Sequence, residues 1–213
     1  MNTRTAVISK TFDVYDFDRT IYNGNSAVDF YVFCLKNRPI LIKYLPYQLW
    51  HLSLFILKLE QRTDFKSRFF VFLRSMSEIE NIVNDFWKAY DVKIKKWYLE
   101  EDHQQDIIIS ASPDFLLRPI FDALGAHTLI ATGMNTATGV ISGVNCYGIE
   151  KVVRLREEIV DINIDKVFSD SLSDLPLFEL AKSAYVVVGN TIYTLQDYNA
   201  MSKIKRFLTK IFN

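Results

Sequence analysis

The sequence predicts an α/β fold with a parallel sheet core and an inserted helical domain. Short runs rich in β-branched and aromatic residues alternate with helical segments near both ends of the chain, a pattern typical of parallel βα units. Between the first two runs lie roughly eighty residues whose apolar side chains recur at helical spacing. Because a structureless loop of that length is uncommon in a compact domain, we expect these residues to fold as helices above the strand ends.

Each strand is expected where a short apolar run reaches polar or glycine residues. The helix after the second strand is expected to have Ser112 as its N-cap, Pro113 at its first position and Gly125 beyond its end. Glycines that punctuate the run 133–143 indicate a hairpin after the third strand. The strands are predicted at 11–17, 106–111, 127–132, 166–170 and 184–189, with a core of 1–22 and 106–213 and a helical insertion of 23–105.

The composition is that of an ordinary globular protein. Hydrophobic residues make up 49% and charged residues 23% of the chain, which argues against disorder. The 25 basic residues balance the 25 acidic ones, so no overall charge favours a nucleic acid partner. The two cysteines lie far apart and outside any CxxC or Cys/His cluster, and the polar stretch 1–10 lacks a secretory signal pattern. We therefore expect a cytoplasmic protein.

Three of the predicted strands end in side chains that carry chemistry. Asp16 and Asp18 follow the first strand, Ser110 ends the second, and Asp170 ends the fourth, with Asp174 four residues later. Ligands of open parallel sheets bind outside the carboxyl ends of the strands, so these side chains are expected to meet in one crevice. Taken alone, two acids and a threonine after a strand more often form a turn with a helix cap.

Together these residues match the needs of phosphoryl transfer through a carboxylate. A divalent cation offsets the repulsion between the phosphate and an attacking anion. Magnesium prefers oxygen ligands, and the expected set is Asp16, Asp170 and a backbone carbonyl near Asp18. Asp16 would act as nucleophile, while Asp18 would protonate the leaving group and later accept a proton from water.

The remaining polar residues would bind the phosphate and support the acids. Ser110 and the amides that begin the following helix would hold its oxygens, and Lys151 would add positive charge. A lysine in the first turn of a solvated helix is the plain alternative for Lys151. Thr20 and Asp174 are expected to support the site, with Asp174 orienting Lys151 or a metal-bound water.

In sequence order, these segments resemble the four motifs of the haloacid dehalogenase superfamily of phosphatases. The resemblance implies a Rossmann-like parallel sheet, magnesium dependence, an α-helical cap and the roles given above. The dehalogenases of this superfamily lack an acid at the position of Asp18. The acid at Asp18 therefore favours phosphate ester hydrolysis over dehalogenation. The run 138–151 resembles subfamily IB, which holds phosphoserine phosphatase and phosphatidylglycerophosphatase C. The motifs are Asp-Phe-Asp-Arg-Thr at 16–20, Ile-Ser-Ala-Ser-Pro at 109–113, Gly-Ile-Glu-Lys-Val at 148–152 and Ser-Asp-Ser-Leu-Ser-Asp at 169–174.

Within the predicted cap, charge and hydropathy are uneven. Residues 36–74 carry eight basic and two acidic side chains, whereas 75–106 carry eight acidic and four basic ones. Lys66 and Arg68 in the basic half are candidates for holding the far end of a substrate, as is Arg19, which stands where many relatives have glycine. A solvated helix face explains Lys66 and Arg68 equally well.

An apolar, aromatic stretch at 44–57 leaves three interpretations open. The least favoured is a membrane span, because polar residues interrupt the stretch. The other two are the core of the cap, which is favoured, and a peripheral contact with anionic lipid. The basic segment 201–213 could reinforce such a contact or dock on the sheet. The order Lys36-Asn37-Arg38-Pro39 before an apolar helix resembles phosphatidylglycerophosphatase C, and implies a lipid or hydrophobic phosphomonoester. The alternatives are a soluble phosphoserine or sugar phosphate substrate, and a phosphate-binding protein without turnover.

Overall fold

A computed structural model describes residues 10–202 together with 206, 207 and 209. Its central sheet has six strands in the order β3-β2-β1-β6-β7-β8, of which the first five run parallel. The predicted α/β fold with a mostly parallel sheet is therefore confirmed. The strands are β1 Thr11–Tyr15, β2 Asp106–Pro113, β3 Thr128–Thr132, β4 Met134–Asn135, β5 Val140–Ile141, β6 Asn163–Ser169, β7 Ala181–Val188 and β8 Thr191–Thr194.

Two features of the strands differ from the sequence prediction. β8 pairs antiparallel with β7 through a tight turn at Gly189, whose positive φ suits glycine. β2 continues to Pro113, with a register shift against β3 after Ile109. Because the strand runs on, the next helix begins at Asp114 with Pro113 in the N-cap position, so the predicted N-cap role of Ser112 is wrong. The predicted hairpin is present as the β4-β5 pair.

Helices fill the stretch between β1 and β2, as expected. Tight 3-10 turns at Pro39–Tyr44, Phe70–Ser75 and Asp91–Lys93 connect them. The helices of this insertion are α1 Ser26–Asn37, α2 Leu45–Ile56, α3 Arg62–Phe69, α4 Ile79–Tyr90 and α5 Lys96–Leu99. Those of the core are α6 Asp114–Leu124, α7 Ile149–Glu158, α8 Leu175–Phe178 and α9 Leu195–Ala200.

In the part of the chain that the structure describes, no helix combines the length and apolar character needed to cross a bilayer. The polar start of the chain before residue 10 lies outside the described residues. So does most of the basic segment 201–213, which was expected to reinforce a lipid contact or to dock on the sheet.

The two faces of the sheet bury different sets of residues. Tyr15, Ile108 and Phe168 point to a core shared with the aromatic side chains of the insertion. Their neighbours Val14 and Val167 point to the opposite core, which α7, α8 and α9 cover. This alternation follows from the two-residue period of a strand. The sheet therefore holds the insertion on one face through packed aromatic rings.

A close backbone contact joins the hairpin to the insertion at Gly139. Its φ of +72° lies in the left-handed region, and a Cβ atom there would be 2.1 Å from the Phe70 carbonyl oxygen. Gly143 in the same region has a φ of +84° but open space around it. Both glycines adopt a left-handed backbone conformation that other residues rarely adopt. Only at Gly139 does the backbone of Phe70 also come too close for a side chain.

We predict that Gly139→Ala destabilises the protein more than Gly143→Ala. Each substitution forces alanine into the left-handed region at a cost of about 1 kcal/mol, and the clash with Phe70 adds roughly 2 kcal/mol at position 139. Urea unfolding followed by far-UV circular dichroism measures both values. Equal losses of unfolding free energy in the two variants would contradict the close contact.

Candidate active site

A tight turn after β1 places the first acid of the site. The Phe17 carbonyl accepts hydrogen bonds from the amides of Thr20, Ile21 and Tyr22, so the chain folds back directly after the strand. This turn carries the Thr20 hydroxyl to 3.4 Å from Asp16 Oδ2. The same hydroxyl accepts the Asp170 amide at 2.9 Å. Thr20 therefore joins the end of β1 to the end of β6, consistent with its predicted supporting role.

Lys151 is buried between two carboxylates. Its Nζ donates to Asp16 Oδ1 and to Asp174 Oδ2, both at 2.7 Å, and 3% of its side chain is exposed. Ser169 donates a second hydrogen bond to Asp174 Oδ2. Burial alone would lower the pKa of Lys151, but the two carboxylates raise it overall, so the lysine stays charged. The solvated alternative for Lys151 is excluded, and Asp174 accepts a hydrogen bond from this lysine.

The Asp16 carboxyl is affected by burial and by its charged neighbours. Its pKa is raised to about 7, chiefly by burial and also by the negative charges of Asp174 and Asp170, while Lys151 acts in the opposite direction. Asp16 and Asp174 thus share the one ammonium group of Lys151, and Asp170 lies close enough to Asp16 to act on its pKa. The excess of negative charge at this end of the site calls for another cation.

Asp18 is held by two serines that the sequence analysis did not assign to the site. The Ser26 amide, at the start of α1, donates to Asp18 Oδ1 at 2.7 Å. The Ser112 hydroxyl donates to Asp18 Oδ2 at 2.5 Å and in turn accepts from the Ser26 hydroxyl. A signal for Ser112 was available, because it follows Ser110 by two residues and so shares its side of the strand. Ser26 had no such signal.

Ser110 is buried on the cavity wall, and its hydroxyl accepts the Ser112 amide at 3.0 Å. The hydroxyl proton of Ser110 remains available, because this bond uses an oxygen lone pair. The helix α6 starts at Asp114, four residues further on. Ser110 thus lies within β2, three residues before its end, with a donor for an anion in the cavity.

Arg19 occupies a strained position beside Asp170. Its φ of +62° lies in the left-handed region, which explains why glycine suits this position. The exposed guanidinium lies 3.8 Å from Asp170 Oδ2. Lys95, at the end of the insertion, donates from Nζ to the carbonyls of Arg19 and Gly189. This buried lysine, which the sequence analysis missed, fixes the backbone of Arg19.

Of the two basic candidates on α3, only Lys66 is brought to the site. Its Nζ donates to the Ala111 carbonyl and, at 3.0 Å, to Asn145 Oδ1, which uses two of its three N–H donors. Burial lowers the pKa of Lys66 to about 8, while Asp18 opposes this shift. Arg68 lies instead on the surface, 3.9 Å from Glu60, and does not line the cavity.

One cavity of about 610 Å³ unites these side chains with the insertion. The polar end is formed by the four acids and by Ser110 and Lys151. The opposite wall belongs to α1, α2 and α3 and is largely apolar. It includes Ala27, Val28, Tyr31, Leu45, Leu49, Leu52, Phe55, Phe65, Phe69 and Phe70, with Gln48, Arg62 and Lys66 among them.

The polar end suits a small divalent cation. Among the described residues, no three His, Cys, Asp or Glu side chains form a ready-made metal cluster. Magnesium does not need one, because it usually keeps several waters and binds one or two carboxylates together with substrate phosphate. Asp16 and Asp170 with a carbonyl of the Asp18 turn are the groups predicted for such a set, and both acids line the cavity. Asp174 Oδ1 is buried with no partner among the described residues, so it could accept a hydrogen bond from a water there.

Comparison with known families gives one match that spans most of the chain. The model of the haloacid dehalogenase-like hydrolase family matches residues 14–179, from β1 through α8. Protein CicA of Caulobacter vibrioides is 33% identical over 81 residues, which is 35% of this chain and 36% of that relative. This chain therefore aligns with only about a third of the length of its curated relative.

Two solved structures share the fold. A protein of unknown function from Bordetella pertussis Tohama I has a TM-score of 0.69 and 17% identity, covering 83% of this chain and 89% of its own. A phosphoserine phosphohydrolase-like protein from Francisella tularensis subsp. tularensis SCHU S4 has a TM-score of 0.54 and 16% identity, covering 82% and 85%. At these identities the likeness supports the fold alone.

We predict that Lys66 makes the binding of inorganic phosphate depend on pH. Its lowered pKa means that it is charged below about pH 8 and loses its proton as the pH rises through that value. Phosphate affinity should therefore fall about tenfold or more between pH 7 and 9.5, the loss of one charge-assisted hydrogen bond. The inhibition constant of phosphate as a competitive inhibitor of aryl phosphate hydrolysis, determined at each pH, measures this profile of affinity.

The matched variants are Lys66→Met and Arg68→Met on the same helix. Lys66→Met should bind phosphate weakly with little change across this pH range, whereas Arg68→Met should keep the wild-type profile. A wild-type profile in Lys66→Met would exclude Lys66 from the anion site.

Proposed function

The chain belongs to the haloacid dehalogenase-like hydrolase family, and we propose that it is a magnesium-dependent phosphomonoester hydrolase with Asp16 as its nucleophile. The observation that carries this proposal is the pairing of Asp16 with Lys151 beside a second acid, Asp18, in one cavity. We further propose that it belongs to subfamily IB, because its helical insertion lies between the first and second motifs.

The first half of the reaction transfers the phosphoryl group to the enzyme. An Asp16 carboxylate oxygen attacks phosphorus, and the bond between phosphorus and the ester oxygen breaks. Asp18 gives its proton to the leaving alkoxide. Lys151 holds the Asp16 carboxylate at 2.7 Å and so fixes the direction of attack.

The second half releases phosphate and restores the acids. Asp18, now a carboxylate, accepts a proton from water as that water attacks phosphorus. The acyl phosphate bond breaks, Asp16 returns as a carboxylate, and inorganic phosphate leaves. Ser112 and the Ser26 amide keep Asp18 in position through both steps. An acid that shuttles protons needs this fixed geometry.

We propose Mg²⁺ as the cofactor, held by Asp16, Asp170 and a backbone carbonyl of the Asp18 turn. When bound it would offset the negative charge of the phosphate and of these carboxylates. The chain supplies its own donors as well. Ser110, Lys151 and Lys66 offer a hydroxyl and two ammonium groups to the phosphate oxygens.

For the substrate we propose a hydrophobic phosphate ester, such as a lipid phosphate. The support is the apolar wall that α2 and α3 present to the cavity, where Leu49, Leu52, Phe55 and Phe65 lie. Phe55 and Phe65 stack at 4.8 Å between ring centroids. A hydrophilic amino acid or sugar would leave its polar groups unpaired against this wall. This argues against the phosphoserine and sugar phosphate alternatives, although a phosphoserine phosphohydrolase-like protein shares the fold.

We also propose a cytoplasmic location with contact at the inner face of the membrane. Cys34 and Cys146 are both free and buried, which suits a reducing setting. A lipid phosphate would bring the enzyme to the bilayer surface. The alternative of a phosphate-binding protein without turnover is disfavoured, because the nucleophile and the proton-shuttling acid are both present.

We predict that Asp16→Asn abolishes the hydrolysis of an aryl phosphate, with a loss in kcat on the order of 10³-fold or more. Chelation should remove activity from the unaltered protein and added Mg²⁺ should restore it. Asp13→Asn is the matched control, since Asp13 lies on the same strand but pairs with Lys166; it should retain activity within about twofold. Full turnover by the Asp16→Asn variant would overturn the mechanism.

We predict that kcat/KM rises along a series of alkyl phosphates from methyl to octyl. Burial of each methylene contributes about 0.8 kcal/mol, so the gain is roughly fourfold per carbon. Phe55→Ala should flatten the series without changing methyl phosphate, whereas exposed Trp50→Ala should leave it intact. A preference for phosphoserine or a sugar phosphate over every alkyl phosphate would contradict the hydrophobic substrate.

A further inference from the structure

The outer surface of α2 and its flanking segments, residues 40–59, carries features that the catalytic mechanism does not use. We propose that this 40–59 surface docks on an anionic lipid bilayer, so that the mouth of the cavity faces the bilayer. The proposal rests on the proposed function, because it concerns how a hydrophobic phosphate ester reaches the same site.

Large apolar side chains are exposed along this surface. Trp50 is 63% and Ile56 68% exposed, and Gln48 is the one buried residue of α2. A contiguous exposed apolar surface on a soluble domain marks an interaction site. The exposed apolar residues are Ile40, Ile42, Tyr47, Leu49, Trp50, Leu52, Ile56, Leu57 and Leu59.

The charges around these side chains all have the same sign. Residues 30–59 contain Lys36, Arg38, Lys43 and Lys58 and no acid. The three lysines are exposed. The next acid, Glu60, turns inward against His51 at 2.9 Å, with 10% of its side chain exposed. A basic rim around apolar side chains is complementary to an anionic lipid surface.

The cavity opens on the same surface. Leu49 and Leu52 line the cavity and are also exposed, so its wall is continuous with the outer face of α2. An apolar tail could therefore pass from the bilayer along these leucines while its phosphate reaches Lys66 and Ser110. Because the apolar cavity wall continues onto the outer face of α2, a lipid bilayer is favoured as the partner.

A bilayer is favoured over a second copy of the chain. Two copies meeting face to face through this surface would bring Lys43 and Lys58 of one copy close to those of the other, and such like-charge contacts are unfavourable. α2 is about 18 Å long at 1.5 Å per residue. A helix of that size can lie in the interface without crossing it.

Sedimentation with vesicles tests the proposal on the full chain. Vesicles of phosphatidylcholine with phosphatidylglycerol should pellet the protein, and vesicles of phosphatidylcholine alone should pellet much less of it. Trp50→Ser with Ile56→Ser should lower the partition coefficient at least about tenfold. Lys43→Gln with Lys58→Gln should lower it by a similar factor, since each cation near the surface contributes about fivefold.

Val92→Ser with Val160→Ser is the matched control, because both valines are exposed and lie outside residues 40–59. This variant should partition like the unaltered protein, and Asp16→Asn should do so as well. Trp50→Ser with Ile56→Ser should keep its activity on a soluble aryl phosphate, since neither residue lines the cavity.

The proposal is overturned if the protein stays in the supernatant with anionic vesicles. It is also overturned if the Trp50 and Ile56 variant binds them fully, or if that variant only converts a dimer to a monomer in gel filtration. Failure of vesicle binding with intact aryl phosphatase activity would refute docking alone. Vesicle binding without any phosphatase activity would refute the proposed function alone.

Discussion

The buried ammonium of Lys151 is the interaction on which the rest of the site depends. It lies between Asp16 at the end of β1 and Asp174 after β6, with 2.7 Å to an oxygen of each. Removing one partner of a buried ion pair typically costs about 3–5 kcal/mol, because the remaining charge is left uncompensated. The lysine therefore fixes Asp16, the proposed nucleophile, and joins three distant segments of the chain. It also leaves a surplus of carboxylates, which is the reason the site suits a divalent cation.

The insertion completes the site rather than only covering it. Ser26 at the start of α1 holds Asp18, and Lys66 on α3 reaches the Ala111 carbonyl behind the same acid. Arg62 lies over the Tyr147 ring of the core, 4.0 Å from its centroid. A change in the position of the insertion would move Asp18, the proposed proton-shuttling acid, and Lys66, the cation that we propose faces the phosphate. Substrate binding against the apolar wall and the chemistry are therefore physically coupled.

The sequence was sufficient for the parts of the site that follow from strand ends. Asp16, Ser110 and Asp170 could be placed because parallel strands bring their carboxyl ends to one edge. Ser26 and Lys95 could not, since they act through contacts between the insertion and the core that no local pattern records. Ser112 was misassigned because a serine before proline and acid also fits a helix cap.

The same limit applies to the sheet and to the insertion. The edge strand β8 is short, and only the Gly189-Asn190 turn before it signalled a hairpin. The helical character of residues 23–105 was evident from periodicity. Periodicity did not show which apolar residues face the cavity and which face outward, because α2 is apolar on several sides.

Trapping a covalent intermediate is the sharpest test of Asp16 as the nucleophile. The protein is mixed with a phosphate ester, quenched during turnover and treated with borohydride, which reduces an acyl phosphate to an alcohol. Peptide mass spectrometry then locates the modified residue. Our account predicts conversion of Asp16 to homoserine, dependent on substrate. An unmodified Asp16 throughout turnover, or modification at Asp18 instead, would contradict it.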